Sequence, residues 1–98
     1  MNEKLKSPLN DELFQTVLSL ASLEECYSFF EDLCTVKEID AMAQRLRAAK
    51  LLREGKTYEQ IIRETDISSA TLSRVSRCVR YGSGAYEKFV PKRDGEKA

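Results

Sequence analysis

The sequence predicts an all-α fold of about six helices organised around a helix-turn-helix, and three observations carry that expectation. The stretch from Thr57 to Val75, TYEQIIRETDISSATLSRV, reads as two short helices broken by a tight turn. A Ser or Thr followed three residues later by Glu or Gln recurs at Ser22/Glu25, Thr35/Glu38 and Thr57/Gln60, and each such pair can satisfy the N–H groups left unpaired at a helix start. Between the last two pairs, Ile39, Met42, Ala43, Leu46 and Ala49 follow i, i+3, i+4, i+7, i+10, the spacing of one helix face.

Taken in order, the residues MNEKLK are short and polar, and residues 1–6 are expected to fray. A first helix starts at Ser7-Pro8, serine capping and proline in the first turn, or a little later at Asn10. Its apolar residues Leu13, Phe14, Val17, Leu18, Leu20 and Ala21 cover more than a narrow stripe. The Ser22/Glu25 pair opens a second helix to about Leu33, with Leu23, Cys26, Tyr27, Phe29, Phe30 and Leu33 apolar. Adjacent Phe29 and Phe30 point about 100° apart, so one seam cannot take both. These two helices offer more apolar surface than so short a chain can hide, which marks an interface and predicts a homodimer. Thr35/Glu38 opens the third and longest helix, expected as the central scaffold, which Gly55 stops after Glu54.

The helix-turn-helix places a first helix under a second whose N-terminal end can enter a DNA major groove. Ile61 supplies the inward face of its first helix, Ile67 plugs the corner, and Leu72 and Val75 supply the inward face of its second. Asp66 stands where such turns commonly carry glycine, and Asp tolerates positive φ better than most residues. Ile62 is larger than the small residue usual at its position. Ser68 can cap the second helix, which is expected to run through Arg77, Cys78 and Arg80 to Tyr81, ended by Gly82 and Gly84. A short last helix, Ala85 to Val90, carries Tyr86 and Phe89 and is stopped by Pro91, leaving PKRDGEKA as a flexible polar tail over residues 91–98.

Ninety-eight residues fit one domain, with the helix-turn-helix at about 57–80. The composition, 42% hydrophobic and 33% charged, is that of a soluble globular chain. It holds no apolar run of about 18 residues and no basic-plus-apolar leader, so membrane association is not expected and the cytoplasm is. Cys26, Cys34 and Cys78 are odd in number, none forms a C-x-x-C, and the chain has no histidine, which argues against a disulfide framework or a metal site. All three fall on or beside apolar faces and read as small buried hydrophobes. Without histidine no Ser/His or Cys/His pair can be assembled, so neither an enzyme nor a cofactor is expected.

The formal charge is zero, but its distribution is uneven. Residues 1–42 carry 3 basic and 9 acidic side chains, residues 43–82 carry 9 and 4, and residues 83–98 carry 4 and 3. The basic half contains the motif, as a face for double-stranded DNA would. Ser69, Ala70 and Thr71 at the start of the second helix, with Ser73 behind them, are the residues expected to face base edges. Being short, they would rely on water bridges, thymine methyl contacts and DNA shape. Lys56, Arg63, Arg77 and Arg80 are the expected phosphate contacts. The sequence is therefore read as a dimeric, sequence-specific DNA-binding regulator, with a protein-interaction module on the same scaffold as the alternative.

The segment TVKEIDAMAQRLRAAKLLREGKTYEQIIRETDISSATLSRVSRCVR, residues 35–80, resembles the Trp repressor superfamily and, within it, the small YerC/YecD-type bacterial proteins. That resemblance implies an intertwined all-helical homodimer with two projecting helix-turn-helix heads. It also implies an effector pocket, in which Thr35, Arg45 and Arg74 match positions that touch tryptophan in the Trp repressor. Val75 instead stands where a glycine makes room for the indole ring, and Cys78 where a serine hydroxyl meets the ligand's polar end. A branched side chain in ring space and a weakly polar thiol imply a protein that does not bind tryptophan.

Overall fold

The computed structural model describes residues 3–90, and the described residues form six α-helices and no strand. They are α1 (Pro8–Leu18), α2 (Leu23–Leu33), α3 (Val36–Arg53), α4 (Tyr58–Thr65), α5 (Ser69–Tyr81) and α6 (Ala85–Phe89), preceded by a single 3-10 turn at Glu3–Leu5. The predicted polar tail 91–98, with the stop at Pro91, lies outside the described residues.

Most helix starts sit where the caps predict. The Ser7 hydroxyl accepts from the Asn10 amide at 3.0 Å, with Pro8 in the first turn. Thr35 and Glu38 form a full reciprocal box: the Glu38 amide donates to Thr35 Oγ1 at 3.1 Å and the Thr35 amide donates to Glu38 Oε1 at 2.8 Å. The Ser22/Glu25 pair closes differently. Ser22 Oγ accepts from the Glu25 amide, but the Glu25 carboxylate reaches one residue further back and accepts from the Ala21 amide at 2.7 Å. That amide is available because α1 stops at Leu18, so Leu20 and Ala21, expected in the first helix, belong to the connection instead. Ser19 makes the break: its hydroxyl and its amide both donate to the Thr16 carbonyl.

The described residues divide between Ile39 and Asp40 into two compact units. In the first, no described residue is buried. Leu5, Leu9, Phe14, Leu18, Leu23, Tyr27, Leu33 and Val36 are all exposed, Leu18 by 82%. Phe29 and Phe30 are half-buried and meet edge to face with ring centroids 5.4 Å apart.

The second unit holds the core. Ala48, Ala49 and Leu51 of α3 cluster with Ile61 of α4, Ile67 of the turn, and Leu72 and Val75 of α5, while Leu52, Ile62, Val79 and Tyr86 pack around them. This corrects the predicted face of the third helix: Ala49 is buried, but Met42, Ala43 and Leu46 are exposed. A periodic stripe states which face is apolar and not what covers it, and α4 and α5 cluster only with its C-terminal half. The cysteines are corrected as well. Cys26 and Cys34 are half-buried and Cys78 is exposed, because Cys78 lies about 100° round α5 from the buried line through Leu72, Val75 and Val79.

Glycines set two of the joints. Gly55, at φ 88°, ends α3 with its amide donating to the Leu52 carbonyl and the Lys56 amide to the Leu51 carbonyl, each at 3.0 Å. Gly82 is needed for room. A Cβ there would fall 2.3 Å from the Cys78 carbonyl oxygen. The chain then turns through Gly84 into α6, whose last carbonyls accept from the Arg53 guanidinium at Tyr86 and Val90.

Candidate nucleic-acid interface

The helix-turn-helix forms as the sequence predicts, and each of its joints has a physical cause. Thr57 and Gln60 exchange both bonds of a capping box, Oγ1 accepting from the Gln60 amide at 3.2 Å and Oε1 accepting from the Thr57 amide at 2.9 Å. Asp66 takes the left-handed conformation at φ 62°, its amide donating to the Ile62 carbonyl at 2.8 Å to close α4. Ser68 Oγ accepts from the Thr71 amide at 3.2 Å and opens α5. Ile61, Ile67 and Leu72 are fully buried at the junction of the two helices.

Burial on one side of α5 fixes what the other side presents. With Leu72, Val75, Ser76 and Val79 turned inward, Ser69, Ala70, Ser73, Arg74, Arg77 and Arg80 are exposed. At about 100° per residue, Ser69, Ser73, Arg77 and Arg80 lie within roughly 80° of one another, a stripe that is hydroxylic near the N-terminus and cationic towards the C-terminus. Thr71 is half-buried and sits at the edge of this face, its hydroxyl accepting from Ser68 Oγ at 2.9 Å.

The helix ends differ in charge. α1, α2, α3, α4 and α6 each carry an acidic residue in the first turn, respectively Asp11, Glu24 and Glu25, Glu38, Glu59, and Glu87. α5 carries none. An acid in the first turn complements the positive end of the helix dipole, so α5 alone of the six leaves that end to an external anion.

Lys56 and Arg63 are exposed at α4, beside Gln60 and Glu64, where the four side chains line an open depression. Arg63 also lies 3.9 Å from Glu59, an exposed pair across one helical turn that contributes little stability. Among the effector positions, Arg45, Arg74 and Cys78 are exposed, and Thr35 has its hydroxyl engaged with the Glu38 amide. Val75 is a member of the core, 4% exposed. The backbone and side-chain bonds from Thr35 hold the Glu38 carboxyl below its usual range.

Gln44 and Arg53, on the scaffold helix, were not among the expected site residues. The Gln44 amide donates to the Thr65 carbonyl at 2.9 Å, and Arg53 binds α6. Neither carries a local signal, since their partners lie 21 or more residues away.

Comparison with known proteins agrees with this architecture. The family model of the Trp repressor protein matches residues 9–94, so the chain belongs to the Trp repressor family, a class of helical DNA-binding regulators. More particularly, the chain is similar to the uncharacterized Bacillus subtilis protein YerC, 56% identical over 90 residues that span 92% of this chain and 86% of that one. Two crystal structures share the fold. One is a Staphylococcus aureus protein provisionally named a Trp repressor, with TM-score 0.89 and 45% identity over 98% of this chain and 96% of that one. The other is a TrpR-like protein of Eubacterium eligens, with TM-score 0.90 and 43% identity over 99% and 100%. Among the described residues there is no cluster of potential metal ligands, and no helix is long and apolar enough to cross a membrane.

Proposed function

We propose that this protein is a dimeric, sequence-specific regulator of transcription in the cytoplasm that represses by occupying an operator, with α5 as its reading helix. The observation that carries the reading is the charge pattern of the helix starts. Five helices complement their own N-terminal dipole with a carboxylate, whereas α5 presents an unopposed positive end and an arginine-bearing face, the arrangement a polyanion requires. Ser69, Ala70, Thr71 and Ser73 face base edges. Lys56, Arg63, Arg77 and Arg80 bind phosphates and set register and affinity.

A second copy of the chain covers the apolar residues of α1 and α2, which bury nothing of their own, and holds two α5 helices about 34 Å apart to address successive major grooves. Tryptophan is not the effector. The buried side chain of Val75 supports this, because it occupies part of the core where a ring would need open space. Isothermal titration should find no binding at micromolar tryptophan, and a micromolar dissociation constant would contradict it.

The test of the function is retention of random duplexes by the purified protein, with sequencing of what is retained at two salt concentrations. Enrichment of an inverted repeat is expected, with a log–log salt slope of about −4 to −5 for some five phosphate contacts. Absence of retention at low salt would overturn the reading in favour of a protein-interaction module.

A further inference from the structure

The turn of the helix-turn-helix is a strained element held from outside. Asp66 is the one non-glycine residue at positive φ among the described residues, a conformation that costs a side-chain-bearing residue free energy and persists only where its surroundings enforce it. Three bonds converge there. The Asp66 amide donates to the Ile62 carbonyl, and the Thr65 hydroxyl donates to the Ile61 carbonyl at 2.7 Å while accepting from the Ile67 amide at 3.3 Å. These are local to α4 and the turn. The third comes from another helix, where Gln44 Nε2 of α3 donates to the Thr65 carbonyl at 2.9 Å, across 21 residues of sequence and partly shielded from solvent.

We infer that Gln44 is a positioning residue for DNA recognition: its amide ties the last carbonyl of α4 to the scaffold helix and so fixes the direction in which the turn delivers α5. The inference rests on the DNA-binding reading above. The carbonyl of Thr65 is among the last in α4, which have no acceptor role inside the helix, so a donor from α3 captures it without displacing a helical bond. Its position matters because Asp66 follows directly. A rotation of the Thr65–Asp66 peptide that relieved the positive φ would also turn the Thr65 carbonyl away from Gln44. The turn therefore relaxes only by giving up this bond, and its present angle is the one at which α5 leaves α4. The buried side chains of Ile67 and Leu72 fix where α5 packs, while Gln44 restrains the angle of the peptide that leads into it. Such a restraint adds little to global stability, and its effect falls on the precision with which Ser69, Ala70 and Ser73 are presented.

Gln44→Met keeps the length and flexibility of the side chain and removes the donor. Amide hydrogen exchange on the free protein should show Asp66 and Ile67 exchanging about five- to tenfold faster in Q44M, with the core amides of Ala48–Leu51 and the thermal midpoint unchanged. Gln44→Lys, which restores a donor, should bring the two amides back towards the wild-type rate. On DNA, Q44M should lose about tenfold in the ratio of selected-site to random-duplex affinity while its salt slope stays that of wild type. A merely stabilising role would lower the thermal midpoint and leave that ratio alone. Unchanged exchange at Asp66 and Ile67 in Q44M, or an unchanged affinity ratio, overturns the inference. Failure of the wild-type protein to bind DNA at all would overturn the functional reading, and the exchange experiment separates the two, since the tether is then seen or not seen without DNA.

Discussion

The two units of this chain are both helical and both apolar on one face, yet one buries a core and the other buries nothing. Residues 40–90 gather seven apolar side chains into a cluster around Ile61, Ile67 and Leu72 and carry the basic charge of the protein. Residues 3–39 are acidic, and leave Leu9, Leu18, Leu23 and Tyr27 each more than two-thirds exposed. The difference teaches that an amphipathic pattern specifies a demand for burial, and that the partner meeting the demand need not be in the same chain. In the second unit it is the neighbouring helix. In the first, the reading proposed here makes it a second copy.

Truncating the core should break this comparison most severely. Ile61→Ala opens a cavity at a fully buried site between α4 and α5 and should cost about 3 kcal/mol, read by denaturant unfolding. A cost under about 1 kcal/mol would mean the second unit is no more self-sufficient than the first. Leu18→Glu sharpens the contrast from the other side. It places a charge on an 82% exposed residue and should leave the helix content of the chain intact, while sedimentation shows dimer turning to monomer at micromolar concentration. A stable dimer in that variant would remove α1 from the interface.

Smaller effects test the joints and the charges. Gly82→Ala forces a Cβ against the Cys78 carbonyl, a backbone atom that cannot swing aside, and should lower stability by about 1–2 kcal/mol in thermal melts. Arg77→Ala should weaken DNA binding about equally for all sequences and reduce the magnitude of the salt slope by about 1, whereas a change of preferred sequence would make Arg77 a base contact. The smallest effect is expected of Glu38, whose carboxyl is held below its usual value of 4.5 by the Thr35 bonds. A depressed folded pKa gives stability that is present above the unfolded value and is lost as pH falls through the folded one. Glu38→Gln should therefore flatten the acid limb of the stability profile below about pH 4.5 and change nothing near neutrality, as pH-dependent melts would record.

How far the sequence could be read followed how local each signal was. Ser7, Thr35, Thr57 and Ser68 mark helix starts because cap and partner lie within three residues, and Asp66 at the turn is legible for the same reason. The buried set Ile61, Ile67, Leu72 and Val75 follows from helical spacing alone. What escaped was decided elsewhere in the chain. Met42 and Leu46 have the right period and no cover, and the Glu25 box slips by one residue because Ser19 ends α1 early. Gln44 meets Thr65, and Arg53 meets Tyr86, through tertiary packing that no window of sequence contains. Within the candidate site, the exposed α5 face was legible from its buried one, whereas the half-burial of Thr71 depends on the Ser68 hydroxyl pairing with it.

The central claim is that two copies of this chain present two α5 helices to one face of DNA, and the spacing of half-sites tests it most directly. Affinity should be measured for the selected inverted repeat and for the same repeat with about 5 base pairs, half a helical turn, inserted between its halves. The account predicts that the insertion reduces affinity to that of a single half-site, because the second reading helix then faces the wrong side of the duplex. Equal affinity for the two duplexes would contradict it.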